Sequence, residues 1–184
     1  MLDVDSEVIR QWQKEALESL SQVPIQEAPD GWREKLHAAV GGLMYVGFSK
    51  ECDCLLTVSS GGRGLWDLQT GEKIARQYEP EGTELDERFL TCVGIGPVAG
   101  EVISVAGLCG GGLPTVSNKG EELSLASPHY PIHDVIFEYP WVRDPVLRRE
   151  SCIVYRGFVK HYGFSYSGDY FVVVDEDVHV WERL

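Results

Sequence analysis

Two stretches of this chain repeat one pattern, and the repeat limits what the chain can fold into more than any bulk property does. The first stretch is residues 46–76, VGFSKECDCLLTVSSGGRGLWDLQTGEKIAR. Val46 and Phe48 make one apolar run, residues 49–53 a polar interruption, and residues 55–58 a second run. A glycine turn (Gly61, Gly62, Gly64) leads into Leu65-Trp66-Asp67. Gln69-Thr70-Gly71 then marks a tight turn before a fourth candidate strand at residues 72–76. Short β-rich runs separated by Gly, Ser, Asn and Asp clusters define an antiparallel meander. The second copy reads Gly163-Phe164-Ser165, residues 170–174, Asp175-Glu176-Asp177 and Val180-Trp181-Glu182. Phe48 and Trp66 are 18 positions apart, and Phe164 and Trp181 are 17 apart. A frame kept that closely is an internal repeat.

Around the two copies the pattern loosens. Residues 6–22, SEVIRQWQKEALESLSQ, carry the clearest helical signal, with Ser6 placed to cap and Glu7 in the first turn. Val8, Ile9, Trp12, Ala16, Leu17 and Leu20 fall on one face, and Lys14 and Glu18 pair at i,i+4 on the other. Such a face is expected to pack across the β body or cover an edge strand. Residues 24–31 form a linker with two prolines, and residues 32–40 fit either a second short helix or a first strand. Strands are expected at residues 90–95 and 101–106, with a bend at 107–112. Two more are expected within 113–125, around the hairpin signal Asn118-Lys119-Gly120. Pro128, Pro131, Pro140 and Pro145 interrupt residues 127–145, which still hold a strand candidate at 135–139; another lies at 152–159.

The chain's 184 residues suit one domain, with the helix at 6–22 and the β body at 43–184. With 43% hydrophobic and 10% aromatic residues it has the material for a core and is not a disordered protein. No apolar run approaches the roughly 18 residues that span a bilayer. The first residues are acidic where a secretory signal needs bases, so a cytoplasmic location with no membrane contact is expected. The cysteines (Cys52, Cys54, Cys92, Cys109, Cys152) are odd in number and lack framework spacing, which predicts free, mostly buried thiols. Sixteen bases against 29 acids leave a net charge of −13. A phosphate backbone is repelled by that balance, so no direct nucleic-acid binding is expected. A basic protein partner is drawn in and oriented by it.

Phe48-Ser49, residues 55–58, Gly64-Leu65-Trp66-Asp67 and Thr70-Gly71 together resemble one blade of a WD-repeat β-propeller. Phe164-Ser165, Gly168-Asp169, residues 170–174 and His179-Val180-Trp181-Glu182 look like the inner three strands of another, and Gly94-Ile95 opens a degenerate third copy. In that family each unit of about 40–45 residues is a four-stranded sheet, and an N-terminal strand often completes the last one. Residues 32–40 are the candidate for that strand. The family's Gly-His pair is absent ahead of Phe48, and Trp66 to Trp181 spans only 115 residues. The resemblance therefore implies a mainly β fold, a small or incomplete propeller-like array of antiparallel meanders with an N-terminal α-helix. It also implies a binding role rather than a reaction, by analogy of fold.

Chemistry-bearing patterns are sparse. The run Ala106-Gly-Leu-Cys-Gly-Gly-Gly-Leu113 lacks the lysine and the helix that a phosphate loop needs. Cys52 and Cys54 stand too close for a zinc knuckle, and Pro128 and Pro131 break the helix that would align His129 with His133. His133-Asp134 and His161 with Ser165 invite a hydrolase reading, yet no G-x-S-x-G elbow is present. No catalytic residue, metal ligand or cofactor is therefore assigned. Acid density stands out at residues 79–87, where Glu79, Glu81, Glu84, Asp86 and Glu87 put five acids in nine positions. Tyr78 and Phe89 flank them as possible aromatic anchors, and Asp175, Glu176 and Asp177 form a second acidic turn. The expected role is a non-catalytic protein-binding module, an acidic immunity- or antitoxin-type inhibitor of a basic, nuclease-like toxin. A WD-like adaptor subunit of a larger complex is the alternative, and a hydrolase the third.

Overall fold

The computed structural model describes residues 6–78, 84–139 and 151–184; the acids Glu79 and Glu81 and the prolines Pro140 and Pro145 lie outside them. In chain order the elements are α1 (Ser6–Leu20), β1 (Trp32–Ala39), β2 (Leu43–Phe48), β3 (Cys54–Ser59), β4 (Gly62–Asp67) and β5 (Glu72–Gln77). Next come β6 (Leu85–Asp86), β7 (Thr91–Val93), β8 (Val102–Ser104), β9 (Ala106–Gly107), β10 (Glu122–His129) and β11 (Ile132–Glu138). The last four are β12 (Cys152–Gly157), β13 (His161–Phe164), β14 (Tyr170–Val174) and β15 (Asp177–Arg183). The strands form four antiparallel sheets, ordered β10-β11-β12, β1-β15-β14-β13, β5-β4-β3-β2-β9 and β6-β7-β8. The fold is mainly β, as expected, and among the described residues no sheet closes on itself.

The two sequence copies form matching meanders. In the first, Phe48 pairs with Leu55 and Leu55 with Trp66; in the second, Phe164 pairs with Phe171 and Phe171 with Trp181. The Ser49 N–H donates to the Cys54 carbonyl at 3.0 Å and the Ser165 N–H to the Tyr170 carbonyl at 2.9 Å. Two residues after each tryptophan, Leu68 and Arg183 donate backbone N–H bonds of 2.9 Å to Asp53 and Asp169, each just ahead of its second strand. The fourth position differs in origin. In the first copy it is β5, reached through a turn in which the Asp67 carboxylate accepts from the Gln69 N–H at 2.8 Å. In the second it is β1, so residues 32–39 are a strand, and it runs antiparallel to β15 from Trp32 opposite Arg183 to Ala39 opposite Asp177. Each fourth strand carries a bulge next to the tryptophan.

Packing explains why the two middle strands read as largely apolar runs, buried Thr57 being the polar exception with its hydroxyl bonded to the Gly64 carbonyl. The sheets stack in layers with a core cluster in each of three gaps. Val46, Phe48 and Leu55 meet Tyr170, Val172 and Val180 in one gap. Leu56, Val58 and Leu65 meet Cys92, Ile103 and Val105 in the second. Phe171, Val173 and Trp181 meet Leu123, Val135 and Phe137 in the third. Successive residues of a strand point to opposite faces, so a sheet covered on both sides needs apolar residues at every position. Leu55 and Leu56 serve different gaps, as do Phe171 and Val172. Close approach also dictates Gly47, where an added Cβ would lie 2.4 Å from the Ser104 carbonyl oxygen.

Several expectations need correction. The helix forms and Lys14 pairs with Glu18 at 3.8 Å, but among the described residues it adds nothing to the three core clusters. Its described side chains are exposed, Val8 and Leu17 included, apart from half-buried Leu20. The strands already cover one another's faces, and among the described residues Leu17 and Leu20 at the C-terminal end of the helix share the lining of a groove with Pro128 and His129. Only one strand forms between residues 113 and 129; Val116 makes a single bridge to Glu122. Pro128 does not stop β10, because the ladder slips between Ala126 and His129 and no donor is required of it there. The linker is more ordered than its prolines suggest: Gln26 N–H donates to the Ile153 carbonyl and Ile153 N–H to the Pro24 carbonyl. Cys52 and Cys54 are joined in a disulfide rather than free.

Candidate functional site

The acidic segment leaves β5 and returns as β6. Tyr78 stands exposed at its start with the Arg76 guanidinium 4.3 Å over its ring. Phe89 stands exposed beyond its end with Arg88 at 5.2 Å. Their relative exposures, 71% and 68%, are high for rings of that size. Between them Glu84, Asp86 and Glu87 are exposed. Two of these acids have structural duties. Asp86 accepts the backbone N–H groups of Arg88 and Phe89 at 3.0 and 3.1 Å, an Asx-type turn that fixes Phe89. Glu87 accepts the hydroxyl of buried Tyr45 at 2.9 Å. Burial first, and then the Cys109 and Glu87 contacts, push that phenol's pKa up. A cleft of about 690 Å³ runs beside the segment, lined by Glu84, Leu85, Asp86, Glu87, Thr91 and Val102.

The second acidic turn is built differently. Asp175 accepts the Tyr155 hydroxyl and the Asp177 N–H (2.6 Å) and lies 3.5 Å from His179 Nε2. Burial pushes its carboxyl up, but these donors and the imidazole outweigh it and hold the pKa below the usual range. Asp177 lies 3.0 Å from His37 Nε2. Glu176 alone of the three is exposed. No hydrogen bond or ion pair joins this turn to the first acidic segment among the described residues. The two are therefore separate features.

The hydrolase candidates do not come together. His133 Nδ1 lies 2.7 Å from Ser127 Oγ, but Asp134 turns away to hold Arg156 through both oxygens, at 2.6 and 2.9 Å. A serine–imidazole pair without a group to orient the base is half of a nucleophilic device. His161 is half-buried, and burial lowers its pKa against the opposing pull of a hydrogen bond to the Gly107 backbone. Ser165 spends its hydroxyl on Ser167 Oγ and the Tyr170 N–H.

Of the unbridged cysteines, Cys92 and Cys152 are buried and Cys109 is exposed. Burial, then the charge of Asp30, push the Cys152 thiol up to about 11. Thiolate is the reacting species, so a native alkylation time course followed by mass spectrometry should add one label, at Cys109, before unfolding releases the other two. Early labelling of Cys152 would contradict the packing around it.

A feature that sequence reading missed lies at the rim of the β1–β15 pair. His37 and His179 are cross-strand partners, and their rings stack with centroids 4.3 Å apart. The bulge between Glu34 and Leu36 shifts the parity of β1 and brings Glu34 to the same face, 3.9 Å from His179 Nδ1. His37 and His179 are 142 positions apart in the chain, and no local spacing announces them.

Compared with known proteins, the chain matches no family model and no curated sequence. No helix among the described residues is long and apolar enough to cross a membrane.

Proposed function

We propose that this protein is a non-catalytic binding module, an acidic inhibitor of immunity or antitoxin type that acts in the cytoplasm on a basic, nuclease-like protein. The observation that carries this reading is the pair of exposed rings, Tyr78 and Phe89, bracketing exposed acids beside a cleft. Hot spots of protein interfaces are built around aromatic anchors, and surrounding charge selects the partner and speeds its approach. A net charge of −13 supplies a long-range field of the right sign for a basic partner. The acids would occupy the partner's phosphate-binding surface and so exclude its substrate. The stacked sheets, read as a small, incomplete propeller-like array, serve as a rigid mount for the β5–β6 connection.

The test uses substitutions that spare the acids with internal duties. Glu79→Gln, Glu81→Gln and Glu84→Gln together, and Phe89→Ala separately, leave the Asp86 turn and the Glu87–Tyr45 bond in place. The product of a neighbouring reading frame, assayed for nuclease activity, should be inhibited stoichiometrically by the wild type. Inhibition should weaken by about 10-fold or more in each variant. Full inhibition by all variants, or none by the wild type, overturns the reading.

The adaptor reading rests on α1, whose Val8 and Leu17 are exposed. It predicts that deleting the helix, rather than neutralising the acids, abolishes co-purification with a larger assembly.

A further inference from the structure

The rim of the β1–β15 pair gathers groups that the inhibitor reading does not use. Glu34, His37 and His179 each offer a ligand atom, and those atoms lie within 4.8 Å of one another. Both imidazoles already have a carboxylate at Nε2: Asp177 at 3.0 Å for His37 and Asp175 at 3.5 Å for His179. A carboxylate only accepts, so the proton of each neutral ring is drawn to Nε2 and the lone pair is left on Nδ1. On His179 that Nδ1 is the atom facing Glu34. Asp175 is itself fixed by the Tyr155 hydroxyl and the Asp177 N–H. A carboxylate behind an imidazole, itself hydrogen-bonded, is the outer shell that orients histidine ligands in metal sites.

We propose that Glu34, His37 and His179 bind a divalent transition-metal ion of the zinc class, with Asp175 and Asp177 as positioning residues. Two imidazole nitrogens and a carboxylate oxygen are the donor set of open, three-ligand zinc sites, the fourth position going to water. Bonds of about 2.0–2.2 Å in a tetrahedral arrangement need the donors roughly 3.3–3.6 Å apart. Closing to that distance asks for movement chiefly of exposed Glu34 and of the exposed His37 ring about its Asp177 contact, with half-buried His179 the more confined ligand. The ion ties β1 to β15, elements whose His37–Asp177 contact spans 140 residues. It therefore acts as a clip on the long-range pairing that joins β1 to the β15-β14-β13 meander.

The experiment titrates chelator-treated full-length protein with zinc chloride by calorimetry, and with cobalt(II) by visible absorption. Expected are one ion per chain, the intense visible bands of four-coordinate cobalt, and a thermal midpoint raised by roughly 5 °C or more at a 100-fold excess over Kd. His37→Gln and Glu34→Gln alter exposed side chains, so each should keep the metal-free midpoint while losing the metal-dependent rise. Asp175→Asn should weaken affinity by about 10-fold. Cys109→Ser should leave binding unchanged. Absence of binding, binding equal in wild type and His37→Gln, or binding lost with Cys109→Ser overturns the proposal.

Discussion

Replacing Phe171 with alanine should cost about 3–5 kcal/mol of folding stability, among the largest effects expected of a single side-chain truncation among the described residues. Phe171 is fully buried on β14 and touches four other aromatic rings. Trp181 lies parallel to it at 4.8 Å with an interplanar angle of 8°, and Trp32 meets it edge-on at 5.0 Å. Phe137 and Phe164 close the other sides at 5.7 and 5.9 Å. Those rings come from β1, β11, β13 and β15, so one side chain holds together two sheets and the strand that arrives from the N-terminal end. Rings anchored on different strands cannot all collapse into the space left, and part of the cavity persists. For a chain of this length the thermal midpoint should fall by roughly 10 °C. Circular dichroism melts of the wild type, Phe171→Ala and Phe171→Leu test this, with leucine intermediate. A midpoint for alanine within a degree or two of the wild type would mean that the aromatic cluster is not the packing centre.

A comparable loss, about 3–5 kcal/mol near neutral pH, is expected of Arg183→Leu. Glu121 is buried, and its carboxylate receives Arg183 Nη1 at 2.6 Å, Nη2 at 3.0 Å and the Ser117 hydroxyl. Burial pushes that carboxyl up, but the guanidinium and hydroxyl prevail and hold its pKa below the usual value of 4.5. The sign of the pH dependence follows. A carboxyl with a depressed native pKa stabilises fully above its unfolded value, and that contribution is lost as pH falls through the native one. Wild-type stability from this group should therefore hold from neutrality to about pH 5 and decline below it. In Arg183→Leu the cation is gone and burial remains, so Glu121 folds more easily when protonated. The penalty should shrink as the pH is lowered toward 4, and Glu121→Gln in the same background should recover part of it. Denaturant unfolding at pH 7 and near pH 4 separates the two states. A pH-independent penalty would assign the loss to contacts of Arg183 other than its carboxylate partners Glu121 and Asp169, namely its packing over Trp32 and its bond to the Gly168 carbonyl.

Much of the β body was legible because its determinants are local. Phe-Ser, the apolar run and apolar-Trp-acid recur in order, and the turns between them carry Gly, Asp and Asn at short range. The structure returns the same register for Phe48, Leu55 and Trp66 as for Phe164, Phe171 and Trp181. What could not be read depends on distant partners. Residues 32–39 are ambiguous alone and become a strand because β15 has a free edge for them. The helix shows an apolar stripe, but whether that stripe is covered depends on sheets that already satisfy one another. A bulge at Glu34–Leu36, invisible in composition, decides that Glu34 faces His179. The acidic segment was visible as charge; that Asp86 and Glu87 have structural duties was decided by the Phe89 backbone and the Tyr45 hydroxyl nearby.

Recognition of a basic partner through the acids and rings of the β5–β6 connection is tested most directly by the association rate. Stopped-flow mixing with the purified partner, from about 0.02 to 0.5 M salt, reads it across the range in which screening sets in. The rate should fall by about 10-fold or more with rising salt, and the fall should flatten in the Glu79→Gln, Glu81→Gln, Glu84→Gln variant. A rate that ignores salt, or one equally steep in wild type and variant, would contradict it.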